Sequence, residues 1–172
     1  MHQLSAVQRA KEQTVTSAPP PSPARIRWPW LVSGLTFLAD QLSKYAVASS
    51  LRPGESLPLA PPVLHLTYVQ NTGAAFGLFR GWAVLFVAAS VVIIVWIARE
   101  LVRPGPPWSS SVLWGYGLVL GGAAGNLLDR VRLGHVIDFL DLRVWPVFNV
   151  GDSAITIGVA LLIWSTLKRR DM

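Results

Sequence analysis

From Gly81 to Ala98 the chain runs for eighteen residues without a charge, bounded by Arg80 on one side and by Arg99 and Glu100 on the other. A stretch of that length and apolarity is enough to cross the hydrocarbon core of a bilayer as a helix. Three more runs share the pattern. The first goes from Trp28 to about Leu51 and is broken by Asp40 and Lys44; another runs from about Ser111 to Leu128. The last is short, with fifteen uncharged residues between Asp152 and Lys168. That is about 22 Å of helix against roughly 30 Å of hydrocarbon. The final helix therefore has to borrow residues from FNVGD, or the bilayer has to thin, and Asp152 is expected at the membrane boundary near a helix N-terminus. The chain is 52% hydrophobic and holds eight Trp, with a net charge of +6. Its basic residues flank the apolar runs instead of forming a patch, which favours a membrane protein over a nucleic-acid binder. The absence of Cys excludes disulfides, thiolate zinc sites and cysteine nucleophiles.

The expected fold is an all-α membrane protein with four transmembrane helices and a small extracytoplasmic β-containing region. Residues 1–27 read as a flexible cytoplasmic tail, 28–168 as the membrane domain and 169–172 as a cytoplasmic C-terminal tail. The first 27 residues are polar and include PPPSP at 19–23. They lack the apolar periodicity of a structured segment, and the apolar run after them is too long for a signal peptide and lacks its small-residue cleavage site. Between the first two spans, Pro53, Pro58, Pro61 and Pro62 exclude a helix. VLHLTYVQ at 63–70 then has the composition of a strand or two. Its aromatic Tyr68, with Phe76 and Phe79 further on, is suited to cover a site. Orientation follows from Lys and Arg: nine lie in the tail, the 99–110 connection and the C-terminus, and five lie in the other two connections. The positive-inside tendency puts both termini in the cytoplasm.

Polar groups concentrate in GGAAGNLLDRVRLGHVIDFLDLRVWPVFNVGD, residues 121–152, which holds Asp129, Asp138, Asp141 and Asp152. A carboxylate buried or held at the membrane edge is costly unless it is paired or used. Asp138 lies in an alternating segment and Asp152 begins the last helix, and the connection between them turns back on itself, so the two can meet. Two carboxylates in one site do not both ionise readily, which leaves one as a general base for water and the other as a general acid for a leaving amine. Asp40 and Lys44 are four apart and can pair on one helix face, and Asn126, Asp129 and Arg130 share another. Gly117, Gly121 and Gly125 form a ridge for close helix packing, within one chain or between two.

Five motifs in order carry a resemblance: DQLSK (40–44), NTGAAF (71–76), GGAAGNLLDR (121–130), VIDF (136–139) and FNVGDS (148–153). Together they resemble the motifs of the lipoprotein signal peptidase (signal peptidase II) family. The resemblance implies a membrane aspartic endopeptidase whose dyad corresponds to Asp138 and Asp152. Asp40, Lys44, Asn71, Gly73, Asn126, Asp129, Arg130 and Asn149 match supporting or substrate-binding positions. It further implies cleavage of diacylglyceryl-modified prolipoproteins on the N-terminal side of the lipidated Cys, at the outer face of the bacterial inner membrane. Substrate and membrane lipid are the expected partners; a monomer is expected, with no nucleic acid, metal or cofactor. Gly151 departs from the family's usual Ala, with a small effect expected on the helix start and none on the chemistry.

Rival readings are weaker. A serine protease lacks a GxSxG turn and a Ser beside His65 or His135, and no HExxH cluster supports a metallopeptidase. A proton-linked transporter built on Asp40, Lys44 and Asp129 would require Asp40 and Lys44 to matter at least as much as Asp138. A non-catalytic scaffold held by the glycine ridge would tolerate Asn at both Asp138 and Asp152.

Overall fold

The computed structural model describes residues 23–73, 83–103 and 108–170, with the backbone alone for residues 23–26, 83 and 169–170. Among the described residues, four helices and three strands follow in the order α1 (Pro23–Ser50), β1 (Ser56–Ala60), β2 (Leu64–Asn71), α2 (Ala83–Val102), α3 (Ser110–Leu133), β3 (Val136–Asp141) and α4 (Val150–Arg170). Among the described residues α2, α3 and α4 are long and apolar enough to cross a membrane. The helix α1 is long enough but is not among them. Asp40, Gln41, Ser43 and Lys44 lower its hydropathy, and three of them, Asp40, Gln41 and Lys44, belong to the site.

Helix α3 is the centre of the bundle, packed against α1, α2 and α4. Its glycines explain the closeness. A Cβ on Gly117 would meet the Pro29 carbonyl at 2.8 Å and Val32 at 2.9 Å, and one on Gly125 would run into the Asp40 carboxylate. The Gly117–Gly121–Gly125 ridge therefore packs against α1 of the same chain. A second row, Gly115 and Gly122, meets α4 at Gly158, Leu162 and Gly151 in the same way. Close helix approach through small residues is how membrane helices gain packing without a hydrophobic driving force. Aliphatic and aromatic side chains fill the rest: Ile97, Leu101, Val112, Leu113, Tyr116, Val119 and Leu120 form one buried cluster.

The sequence reading ended the third span near Leu128, but α3 continues to Leu133. Ser109 caps its start by accepting from the Val112 N–H, and Gly134 ends it in the left-handed region at φ 77° with its N–H on the Arg130 carbonyl. Asn126, Asp129 and Arg130 thus lie on a rigid helix, and Arg130 and Arg132 sit in its last turn, where cations complement the helix dipole. The second helix covers Ala83–Val102, with Gly81 and Trp82 outside the described residues. The final helix borrows only Val150 and Gly151 before Asp152.

The strands form one antiparallel sheet in the order β1-β2-β3. Edge strand β1 is exposed throughout, with Pro58 and an irregular register blunting it. Strand β3 is nearly buried instead of alternating, because α1, α3 and β2 pack against it and a second small core forms where it meets α1. Val47 of α1, Tyr68, Ile137 and Phe139 make that second small core. Tyr68 is therefore a core residue rather than a cover over the site. Phe76 and Phe79 lie outside the described residues.

Candidate active site

The polar centre starts from Lys44. Its ammonium lies 2.8 Å from Asp40 Oδ2 and 2.9 Å from Asp129 Oδ2, and donates to Asn126 Oδ1 at 2.8 Å. Three donors meet three acceptors, so this cation is saturated although only 2% exposed. A buried charge is tolerable only when it is paired and hydrogen-bonded in this way. The i,i+4 pair expected from the sequence is therefore one edge of a larger cluster joining α1 to α3.

Each member of the cluster passes the constraint on. Asp40 Oδ1 accepts the Gly151 N–H at 2.8 Å, which fixes the start of α4. Asp129 Oδ2 accepts the Ile137 N–H at 3.2 Å, which fixes β3 beside α3. Gln41, which the sequence reading did not single out, donates to Asp40 at 3.1 Å, to Asp129 at 3.1 Å and to the Gly125 carbonyl at 3.3 Å. It stands beside Asp40 in the DQLSK motif, but only the packing of α1 on α3 shows that its amide bridges the two acids. Gly151 has little room: a Cβ there would lie 3.0 Å from Asp40 Oδ1 and 3.1 Å from Asn149 Oδ1.

Asp138 and Asp152 sit where this scaffold ends. Asn126 Nδ2 donates to Asp152 Oδ1 at 2.8 Å, and the Asn149 backbone N–H donates to Oδ2 at 3.3 Å. The Asp152 N–H in turn donates to Asn149 Oδ1 at 2.8 Å, a reciprocal cap at the start of α4. Asp138 Oδ1 accepts Asn149 Nδ2 at 2.6 Å, and its Oδ2 accepts Asn71 Nδ2 at 2.8 Å. Asn149 is fully buried and so ties one carboxylate by its side chain and the other by its backbone. Asn71 is held in turn, because its Oδ1 accepts the Gly73 N–H at 3.0 Å. Burial pushes the Asp138 carboxyl up to about 7; the Asp152 charge adds to this, against the opposing hydrogen bonds from Asn71 and Asn149.

Both carboxylates line one cavity of about 300 Å³, shared with Asn71, Gly73, Arg130 and Trp145. Arg130 is anchored by its bond to the Asn126 carbonyl at 3.3 Å and by stacking 5.3 Å over the Phe86 ring. The ten residues singled out by the sequence thus meet in one connected site. Asp141 does not join it. Three positions beyond Asp138 on a strand, it faces the other way, accepting from Thr67 at 2.7 Å and pairing with Arg143 at 3.6 Å. Among the described residues no group of His, Cys, Asp and Glu is arranged to hold a metal ion.

Comparison with known proteins agrees with this arrangement. The family described as signal peptidase (SPase) II matches residues 32–168. The chain belongs to the signal peptidase II family. The lipoprotein signal peptidase of Moorella thermoacetica is 48% identical, the match covering 81% of this chain and 93% of that protein. The lipoprotein signal peptidase of Pelotomaculum thermopropionicum is 46% identical, over 83% of this chain and 93% of its own length. A solved structure described as a bacterial membrane enzyme aligns with a TM-score of 0.76 at 31% identity, covering 81% of this chain and 87% of that one. A second solved structure of a bacterial membrane enzyme gives 0.73 at 31% identity, covering 81% and 92%. Membership in the signal peptidase II family makes the chain a peptidase, and each of the five sequence motifs contributes at least one described residue to the cavity or to the cluster behind it.

Proposed function

We propose that this signal peptidase II member is an aspartic endopeptidase in which Asp138 and Asp152 form the catalytic dyad. The observation that carries the reading is Asn149, which holds both carboxylates against one cavity while Asn71 and Asn126 take up their outer oxygens. Two acids facing one cavity do not both ionise readily, so one keeps a proton, and the pair, not either residue, owns the titration. In the reaction, the ionised member takes a proton from water as the water oxygen attacks the scissile carbonyl. The protonated member then gives its proton to the leaving amine as the C–N bond breaks. Asp40, Lys44, Asp129 and Gln41 position the dyad through Asn126 and Gly151, and Arg130 brings a fixed cation to the cavity where negative charge develops.

The proposed substrate is a diacylglyceryl-modified prolipoprotein, cut on the N-terminal side of its lipidated Cys. Its acyl chains would lie in lipid and its scissile bond at headgroup level, which suits acids at the N-terminus of α4 and at the sheet edge. In the same reading α1 supplies the fourth span, its polar face turned to α3 and its exposed Leu31, Leu35, Leu38 and Leu42 turned to lipid. Both termini are cytoplasmic, the sheet and site lie at the outer face of the bacterial inner membrane, and the chain works as a monomer with no cofactor and no nucleic acid.

The test is cleavage of lipidated prolipoprotein by the purified parent, Asp138→Asn and Asp152→Asn, each checked for intact folding. Loss of cleavage in both variants with folding kept is expected. Normal cleavage by Asp138→Asn beside a dead Asp129→Asn would redraw the dyad as Asp129 with Asp152.

A further inference from the structure

The other end of the bundle holds a second cavity that the peptidase reading does not use. It lies between the C-terminal half of α2, the start of α3 and the C-terminal part of α4, with a volume of about 360 Å³. Ser165 on its wall is 13 residues along α4 from Asp152, or about 20 Å down the helix axis. The walls are apolar and aromatic. Trp96 and Trp108 each meet Tyr116 edge-on at 5.9 Å, and Leu162 closes the α4 side. Trp96 is half exposed and Thr166 is exposed, so the crevice opens outwards on the flank of the bundle. Ser165 is buried on the α4 wall, and its hydroxyl pairs with that of the exposed Ser109 at 3.0 Å.

The rim is cationic. Arg99 lies one helical turn beyond Trp96, and Lys168 one turn beyond Ser165, so each follows the crevice towards the end of the bundle. Both are exposed, and neither has an acidic partner among the described residues. Arg103 is paired with Glu100 at 3.3 Å, which accounts for the nearby acid.

Apolar walls, one buried hydroxyl at Ser165 and a cationic rim select one chemistry. A free anion leaves the aromatic walls unexplained. A second copy of the chain would bring Arg99 and Lys168 against their own like charges. A basic pocket between membrane helices at a polar boundary fits an anionic lipid headgroup with its chain in the apolar part. We infer that this crevice binds an anionic phospholipid, one acyl chain against Trp96, Trp108 and Leu162 and the phosphate between Arg99 and Lys168. The inference rests on the proposed orientation only for the leaflet, which is then the cytoplasmic one.

Native mass spectrometry on the full chain in a non-ionic detergent tests it, with phosphatidylglycerol and phosphatidylcholine of identical chains as probes. The parent is expected to retain phosphatidylglycerol about tenfold over phosphatidylcholine. The double variant Arg99→Gln/Lys168→Gln removes the rim charge and is expected to bring the two lipids within about twofold of each other. Thr166→Trp fills the crevice and is expected to lower retention of both. Both variants should keep the parent's unfolding temperature and its cleavage of prolipoprotein. If Thr166→Trp fails to fold, the double variant, whose changes are at exposed positions, decides alone. Equal retention of the two lipids by the parent, or an unchanged preference in the double variant, overturns the inference. A parent that binds phosphatidylglycerol selectively but cleaves nothing would sink the peptidase reading and leave this one standing.

Discussion

Asp138→Asn separates the electrostatics of the site from its chemistry. The Asp138 carboxyl is 1% exposed and is held up to about 7, against an ordinary value of 3.8, with burial as the largest cause. Below about pH 4 folded and unfolded chains both carry its proton, and the site adds no pH-dependent term. Between about pH 4 and 7 only the folded chain keeps the proton, so stability falls as pH rises; above about 7 the full penalty is present. A shift of about three units at about 1.36 kcal/mol each makes that penalty about 4 kcal/mol, of which about 3 kcal/mol accumulates between pH 5 and pH 8. Asn removes the titration but not the cavity. Its single Oδ1 can accept from Asn71 or from Asn149, while its amide faces the other donor, a pH-independent loss of about 1–3 kcal/mol. The variant is therefore expected to be less stable than the parent at pH 5 and to close or reverse that gap at pH 8. Unfolding by SDS in mixed micelles, followed by tryptophan fluorescence at both pH values, gives the two free-energy differences. If the parent-to-variant gap changes by less than about 1 kcal/mol between them, the raised Asp138 carboxyl is refuted.

Three other substitutions probe the support. Lys44→Met leaves Asp40 and Asp129 buried without their cation, and is expected to destabilise by about 3–5 kcal/mol and abolish cleavage; cleavage near the parent's rate would show that the cluster does not position the dyad. Asn71→Ala removes a hydrogen bond that favours the charged form of Asp138. The limb of the pH–rate profile that reports the acid pair should move to higher pH, and an unmoved profile counts against the assignment. Gly125→Ala drives a methyl into the Asp40 carboxylate and is expected to cost about 1–3 kcal/mol and reduce cleavage. Gly34→Ala on α1, where a Cβ meets nothing within 4 Å, is its control and is expected to be neutral or stabilising in thermal unfolding.

Much of the site was legible because burying charge is costly. Asp40, Lys44, Asp129, Asp138 and Asp152 stand out in a chain with 14% charged residues, and each has paired or hydrogen-bonded partners in the fold. The strand at Leu64–Asn71 and the one at Val136–Asp141 were readable from composition and alternation, whereas β1 at Ser56–Ala60 lies before the stretch expected to be a strand, among the prolines. The details set by three-dimensional packing were not. Gln41 gains its role only from the approach of α1 to α3, and a neutral amide gives no hint of burial. Tyr68 has the composition of a rim residue, yet the sheet turns it inwards onto Ile137 and Phe139. The end of α3 was placed too early because polar residues after Leu128 imitate a loop, whereas helical periodicity continues beneath them to the glycine at 134. Asp141 shares the acidic neighbourhood of the dyad in sequence, but strand geometry sends it to the opposite face.

The contact between Asp40 and the Gly151 N–H has a consequence for biogenesis. One carboxylate on the first helix meets the backbone that begins the last, and α3 supplies the Asn126 that holds Asp152. Residues more than a hundred positions apart must therefore be docked before either acid is set in place. A chain synthesised only as far as β3 holds Asp138 but neither Asn149 nor Asp152. On the proposed dyad, cleavage by the growing polypeptide has to wait until the start of α4 has been made and docked.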